Sequence, residues 1–330
     1  MAEARHIGLP LRLTHVYSSA PWGGEWIRKV FARADAPAIC SESWEVSGHP
    51  YGMSVVAEGP FATRTLADLA QEFGAALTGS RSPDPHRFPL LIKLLDARRS
   101  LSVQVHPTAS NAAETGGEPK VEAWLILEAS PGAALYAGVQ PGTTEESFRD
   151  AVEQGEALVG VLARHAVLKG DVFYIPGGVV HAIGAGCLIF EVQQSSNTTY
   201  RFYDWDRVDA AGKGRALHIE QAFKSLDFRF PPVRAHRSSE AVKVGKNIFR
   251  TRLHTPVFTV KELELNEPMT LPLDGSSFVA CFALAGEVAV SSGGATVEVP
   301  FGSSVLVPAD AKESALSPRG ASARLLMTTL

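Results

Sequence analysis

Residues 101–107 read Leu-Ser-Val-Gln-Val-His-Pro, and the alternation in that run constrains everything built around it. In an extended strand successive side chains point to opposite faces, so Ser102, Gln104 and His106 share one face and Val103 and Val105 the other. A polar row backed by an apolar one describes a strand that lines a wet cavity on one side and packs on the other. Glu122 follows after fifteen intervening residues, and His181 closes the stretch Gly170-Asp-Val-Phe-Tyr-Ile-Pro-Gly-Gly-Val-Val-His. Two imidazoles, a carboxylate and a carboxamide oxygen suit a borderline divalent cation such as zinc. Taken singly, Gln104 or either histidine reads as a hydrogen-bonded core residue and Glu122 as a surface carboxylate. The combination carries the metal reading.

Composition sets the bounds on the rest. At 330 residues the chain has room for two domains of about 150 residues each. With 45% apolar and 20% charged residues it reads as an ordinary soluble globular protein. A net charge of −4 favours neither nucleic acid nor an anionic membrane surface. The sequence has no apolar run of the ~18 residues a membrane span requires, and the opening residues lack the apolar stretch of a secretory signal. Cys40, Cys187 and Cys281 are odd in number and far apart, which predicts buried, reduced thiols and a cytoplasmic location.

The 29 glycines and 21 prolines punctuate short β-rich runs, so the chain is expected to be mainly β with helical insertions. One insertion is expected at about 62–80: Thr65 offers an N-cap with Asp68 three residues on, and Leu66, Leu69, Ala70, Phe73 and Leu77 follow at helical spacing to Gly79. A second is expected at about 143–163, capped by Thr143 with Glu146, and a short helix at His218–Lys224. Pro231-Pro232 is the expected boundary between a catalytic domain, 1–230, and a C-terminal domain, 231–330. Gly302-x5-Pro308 repeats Gly170-x5-Pro176, and eleven residues on from each glycine stand His181 in one copy and Glu313 in the other. This short repeat predicts a second, similar barrel without a metal site.

The Gly-x5-Pro-x-Gly-x2-His stretch ending at His181 resembles the second conserved motif of the cupin barrels. The first such motif usually begins His-x-His, whereas here it begins Gln-x-His. The expected architecture is therefore two cupin-like (jelly-roll) β-barrels. Further segments resemble the type I phosphomannose isomerases: Trp22-Gly-Gly, Glu45-Val-Ser-Gly-His-Pro, Pro89-Leu-Leu-Ile-Lys-Leu-Leu-Asp-Ala, Leu101-Ser-Val-Gln-Val-His-Pro, Lys120-Val-Glu-Ala-Trp, Ile175-Pro-Gly-Gly-Val-Val-His-Ala and Asn197-Thr-Thr-Tyr-Arg-Phe-Tyr-Asp-Trp. They span 22–205, and the length resembles the shorter bacterial members.

The resemblance implies an aldose–ketose isomerase interconverting mannose 6-phosphate and fructose 6-phosphate through a cis-enediol, with one Zn2+ per chain held by Gln104, His106, Glu122 and His181. It implies substrate handling by Ser102, Lys120, Glu191 and Arg201, and a phosphate contact at Arg207, where relatives carry Lys. Both are cations, but a guanidinium is a planar fork and an ammonium a point charge. His49 and Trp22 border the site by the same resemblance. The residues themselves agree in part. Lys120 and Glu122 share a strand face, as do Glu191 and Gln193; Arg201, Tyr203, Trp205 and Arg207 share one if that run stays extended. Lys93, inside Leu90-Leu-Ile-Lys-Leu-Leu, either reaches the cavity or snorkels out, because an unpaired buried ammonium is costly.

Such a reaction needs a base, an acid and stabilisation of developing oxyanion charge. Arg201 is expected to stabilise the enediolate, and Glu191 to serve ring opening or proton transfer. A metal-held water, Glu191, Lys120 and His49 all stay open as the base. Ser102 and Arg207 would fix the phosphate. Arg201 and Arg207 also stand near Asp204, Asp206 and Asp209, where plain surface ion pairing describes them as well. An iron-dependent cupin dioxygenase, an isomerase of another sugar and a non-catalytic sugar-phosphate sensor are the alternatives. The expected partner is a phosphorylated hexose, with no nucleic acid or membrane, and the chain is expected to be a monomer or weak homodimer.

Overall fold

Four antiparallel sheets dominate the computed structural model, which describes residues 6–209, 211–231 and 233–330. In the first, of seven strands, Val172–Ile175, Glu122–Ala129, Cys187–Gln194, Leu90–Ala97, Glu42–His49 and Val16–Ser18 lie side by side, with Gly52–Met53 paired to Glu42–His49. Facing it is a five-stranded sheet ordered Tyr200–Tyr203, Val103–Val105, His181–Ile183, Ala134–Val139 and Leu162–Ala166. The remaining two sheets, of seven and four strands, are built almost wholly from residues beyond 240. The exception is Leu11–Arg12, which pairs with Ser304–Val307, so the start of the chain crosses the boundary expected at Pro231 and completes the second half's sheet.

Strand parity sorts the central residues. Leu90, Ile92 and Leu94 join Leu188, Phe190 and Val192 in a core that also takes Val260, Phe282, Leu306 and Leu326 from the second seven-stranded sheet. Ring pairs Phe88–Phe278 (4.6 Å) and Phe190–Phe282 (5.4 Å) bind the two large sheets face to face. The opposite parity, Leu95, Trp124, Ile126 and Ile189, meets Leu135, Ala137 and Ile183 of the five-stranded sheet. Central strands of the first sheet are thus apolar on both faces, which is why they read as near-continuous hydrophobic runs. Helices Glu145–Glu153 and Ile219–Ser225 cover the outer face of the five-stranded sheet through Phe148, Ala222 and Phe202.

The repeat marked by Gly170 and Gly302 extends to strand register. Both glycines have positive φ, 94° and 72°, and each precedes a short strand that ends at the matching proline. Ile175 pairs with Glu122, and Val307, at the same place in its copy, pairs with Val279. His181 pairs with Gln104, and Glu313 with Pro272. Glu191 pairs with Lys93, and Met327 with Lys261. The second copy therefore keeps the pairing scheme but replaces the donors at two of the ligand positions with Pro272 and Val279.

Local expectations needed three adjustments. The helix expected to reach Gly79 is split at Gly74 (φ 52°) into Leu66–Phe73 and Ala75–Thr78. The cap at the second insertion is Thr144 rather than Thr143: its hydroxyl accepts from Ser147 N, and Ser147 Oγ accepts from Thr144 N. Thr144 has the extended backbone of a cap (φ −93°, ψ 164°), and Thr143 stands one residue before it in the preceding turn, donating to Gln140 O. The run after Arg201 does not stay extended. Its strand ends at Tyr203, with a register shift after Arg201, and Trp205 and Asp206 take φ values of 58° and 50°. Parity therefore fails beyond Asp204. Pro232 lies outside the described residues.

Gly79 joins the two halves. Ser80 N and Arg81 N donate to the carbonyls of Gly275 and Ser276, and a Cβ on Gly79 would stand 2.5 Å from Ser277 Cα. With φ at 93°, Gly79→Ala should strain the backbone and part this contact, costing about 2–4 kcal/mol in urea unfolding. A change below about 0.5 kcal/mol, within the range of neutral surface substitutions, would show that the contact yields freely.

Candidate metal centre and charged cavity

The four expected ligands arrive on three strands and one loop. Gln104 and His181 are direct partners on adjacent strands of the five-stranded sheet, and Glu122 opens a strand of the facing sheet. His106 follows its strand immediately. His106, Glu122 and His181 are all buried, with ligating atoms within 4.8 Å of one another. His106 Nε2 lies 3.3 Å from Glu122 Oε2, and His181 Nε2 lies 3.2 Å from Glu122 Oε1. The Gln104 carboxamide stands 3.3 Å from His181 Nε2; turning the amide over brings its oxygen to that place.

The electrostatics of this cluster fit a cation. Both Glu122 oxygens are buried and accept no hydrogen bond of normal geometry from the protein. Burial opposes the Glu122 charge, but Lys120, 2.7 Å away, and the two imidazoles hold the carboxyl well below its usual range. Burial, then the Lys120 charge, push His106 down to about 3. Burial likewise lowers His181. Neutral rings leave lone pairs free for a metal. His181 Nδ1 donates to Val179 O at 2.8 Å, which presents Nε2 to the cluster. Two neutral imidazoles, an ionised carboxylate and a carboxamide thus converge on one point, and the donor set fits a divalent metal.

Above the cluster opens a cavity of about 280 Å3. Trp22, Lys93, Ser102, Gln104, Lys120, Glu191 and Arg201 line it, all expected from sequence. Lys93 reaches the cavity rather than snorkelling out. Its Nζ lies 3.5 Å from Glu42 and 3.6 Å from Glu191 and 5.0 Å above the Trp44 ring, so the buried ammonium is compensated. Burial opposes the Lys93 charge, but Glu42 and Glu191 prevail and raise its pKa. Glu191 accepts from Trp124 Nε1 at 2.9 Å. Burial, then the Glu122 charge, raise its pKa above the ordinary carboxyl value. Ser102 Oγ lies 3.1 Å from the Gln104 carboxamide and accepts from Arg201 Nε at 3.1 Å.

Two expected residues lie elsewhere. His49 is buried outside the cavity lining, 3.5 Å from Glu118, and stacked on Tyr51. Arg207 is carried away by the turn at Trp205–Asp206 and lines a neighbouring cavity. Its Nη1 donates to Ser100 O at 2.6 Å, its Nε to Asp204 O at 3.1 Å and its Nη2 to Asp204 Oδ1.

The cavity also takes Glu42, Leu95, Leu101, Asn197, Thr199 and Arg215, which the motif reading had not assigned to it. Asn197 and Thr199 share parity with Arg201, a signal present in the sequence. Glu42 and Arg215 had none, since a cross-strand pairing and a loop deliver them.

The catalytic-domain model of phosphomannose isomerase type I matches residues 11–129. The chain is 34% identical over 301 residues to the mannose-6-phosphate isomerase ManA of Bacillus subtilis, covering 91% of this chain and 93% of that one. It is 41% identical over 223 residues to the mannose-6-phosphate isomerase of Streptococcus mutans, covering 67% of this chain and 69% of that protein. Among solved structures, the mannose 6-phosphate isomerase from Bacillus subtilis superposes with a TM-score of 0.87 at 29% identity, over 98% of this chain and all of the other.

Proposed function

This chain belongs to the type I phosphomannose isomerases, and from that premise we infer that it interconverts mannose 6-phosphate and fructose 6-phosphate. The observation that carries the reading is a cluster of three buried donors, His106, Glu122 and His181, with Gln104 beside them, at the base of a cavity ringed by Lys93, Lys120 and Arg201. Inward cations beside a metal-ligand set suit an anionic, oxygen-rich substrate. The metal is zinc in this reading, one per chain. Gln104, His106, Glu122 and His181 would hold it, and two imidazoles, a carboxylate and a carboxamide oxygen form a donor set that zinc accepts. Bound there, zinc would supply Lewis acidity toward a sugar oxygen. The matched registers around Gly170 and Gly302 support two cupin-like barrels, divided near residue 230. Buried Cys40, Cys187 and Cys281 suit a reducing cytoplasm, and a monomer or weak dimer is the working assembly.

The protein's own groups divide the chemistry. Lys120, Glu191 and Arg201 act at the reacting carbons, where the sugar ring opens and a proton passes between C1 and C2 through a cis-enediol. Glu191, which lines the cavity and is fixed by Trp124 Nε1 at 2.9 Å, carries the proton between the carbons and between the sugar oxygens. Lys120, held 2.7 Å from Glu122 and 3.2 Å from His106 Nε2, offers a fixed positive charge beside them. Arg201, anchored by Ser102 and by Ala216 O at 2.9 Å, stabilises the enediolate oxygen. Trp22 and Lys93 shape and charge the wall.

The test is conversion of mannose 6-phosphate to fructose 6-phosphate by the purified chain, before chelation, after it, and with zinc restored. Activity lost and regained with zinc supports the whole reading; inactivity with zinc fully bound overturns it. Arg201→Ala should lower kcat by about 10²–10³-fold, as loss of an oxyanion donor does elsewhere. A rise in KM alone, with kcat intact, would remove Arg201 from the chemical step.

A further inference from the structure

We propose that Arg215 is the residue that binds the substrate's phosphate, and that Asp204 aims it there while Arg207 braces the loop. The inference rests on the isomerase reading and adds to it a residue outside the motifs. Arg215 and Arg201 both line the cavity, two guanidinium groups sharing a space of about 280 Å3. Burial and then the Arg215 charge disfavour the Arg201 cation, and like charges held together call for an anion between them.

The hydrogen bonds separate the two candidates. Every nitrogen of the Arg207 guanidinium donates to protein: Nη1 to Ser100 O, Nε to Asp204 O and Nη2 to Asp204 Oδ1. Only 14% of its side chain is exposed, and it lines only the neighbouring cavity, whereas Arg215 lines both that cavity and the site cavity. Arg215 spends Nε on Asp204 Oδ2, at 2.7 Å, and Nη2 on Asp204 Oδ1. Among the described residues its Nη1 meets no protein acceptor, as is true of Arg201 Nη2. Asp204, 6% exposed, is therefore a positioning residue that grips both arginines and leaves one edge of Arg215 for a ligand.

Exposure orients the substrate. Lys93 and Lys120, at 7% and 6%, lie deep beside the metal ligands, whereas Arg215, at 36%, stands at the rim. A phosphorylated hexose thus enters with its reacting carbons toward Lys120 and Glu122 and its phosphate at Arg215. Phosphate recognition by a guanidinium edge is a charge-assisted, directional bond. Binding energy gathered there positions the distant carbons.

The experiment uses the zinc-loaded full chain and two readouts. Arg215→Ala should raise KM for mannose 6-phosphate by about 10–100-fold, as loss of a charged hydrogen bond does, with kcat falling far less. The inhibition constant of inorganic phosphate should rise in step, and Arg215→Lys should recover part of both. Arg207→Ala should raise KM less than Arg215→Ala does and should lower the unfolding midpoint instead. A KM and phosphate constant within about twofold of the parent in Arg215→Ala, or a larger KM effect at Arg207, would overturn the assignment. Should Arg215→Ala fail to fold, Arg215→Gln gives the same readouts. Failure of the parent chain to isomerise would sink the isomerase reading instead; calorimetric binding of inorganic phosphate to parent and variant still decides whether Arg215 holds the anion.

Discussion

Glu122→Ala should leave the protein unable to retain its metal and reduce turnover by at least about 10³-fold, more than loss of an outer-shell partner, which costs about 10–100-fold. The carboxylate is the only anionic donor in a cluster whose other members are neutral, and both of its oxygens face ring nitrogens, at 3.2 and 3.3 Å. Its removal also strips Lys120 of a partner 2.7 Å away inside the protein. Breaking a buried pair from one side costs about 3–5 kcal/mol, so the alanine variant should be less stable as well as metal-poor. Glu122→Gln separates the two effects, because it keeps the shape and removes the charge. Metal content by elemental analysis, read beside kcat, is the measurement. A Glu122→Ala protein with a full complement of zinc would remove this cluster from metal binding.

The second large effect concerns the joint between the two halves of the chain. Glu45 is buried and gripped by Arg33 through two bonds of 2.8 and 2.9 Å, by Ser43 Oγ at 2.6 Å and by His15 at 3.0 Å. The same Arg33 donates to Gly302 O, and Ser304 Oγ to Glu45, so the cluster ties the first half of the chain to the second. Burial alone would raise the Glu45 pKa, but Arg33 and His15 bring it down to about 2. A carboxyl depressed in the folded state stabilises it fully above its unfolded value. That stability disappears as pH falls from the ordinary value of 4.5 through about 2. At about 1.4 kcal/mol per pKa unit, the contribution is about 3 kcal/mol. Glu45→Ala should cost about 3–5 kcal/mol near neutral pH, since it leaves Arg33 buried and unpaired. Urea unfolding of Glu45→Gln should show a smaller loss of stability than the parent between pH 5 and 2, the remainder belonging to other lowered carboxyls such as Glu122. Superimposable pH profiles would assign the acid sensitivity to other groups.

Much of the site was readable because it obeys local parity. Gln104, Glu122 and Glu191 sit on strands, and Ser102, His106 and Lys120 sit one or two residues beyond a strand end, where the backbone keeps the same alternation. Parity misled at Arg207, because Trp205 and Asp206 turn the chain in the left-handed region, which non-glycine residues seldom enter. The resemblance that put His49 at the border met a ring packed between Trp44 and Tyr51. The Thr144 cap differed from expectation by one residue, because Thr144 takes the extended backbone of a cap while Thr143 still belongs to the turn before it.

Residue order alone determined a mainly β chain, the convergence of His106, Glu122 and His181 and most of the cavity wall, since a strand's two faces are written in alternate positions and these residues sit in short, distinctive runs. Tertiary structure alone decided that Lys93 is paired rather than exposed, that Glu42 and Arg215 join the cavity, and that the N-terminal strand completes the second half's sheet. Those outcomes depend on pairings between residues tens to hundreds of positions apart, and on a loop whose path Asp204 sets by gripping two arginines. No local period records such contacts, because the energy that selects them exists only once the sheets have met.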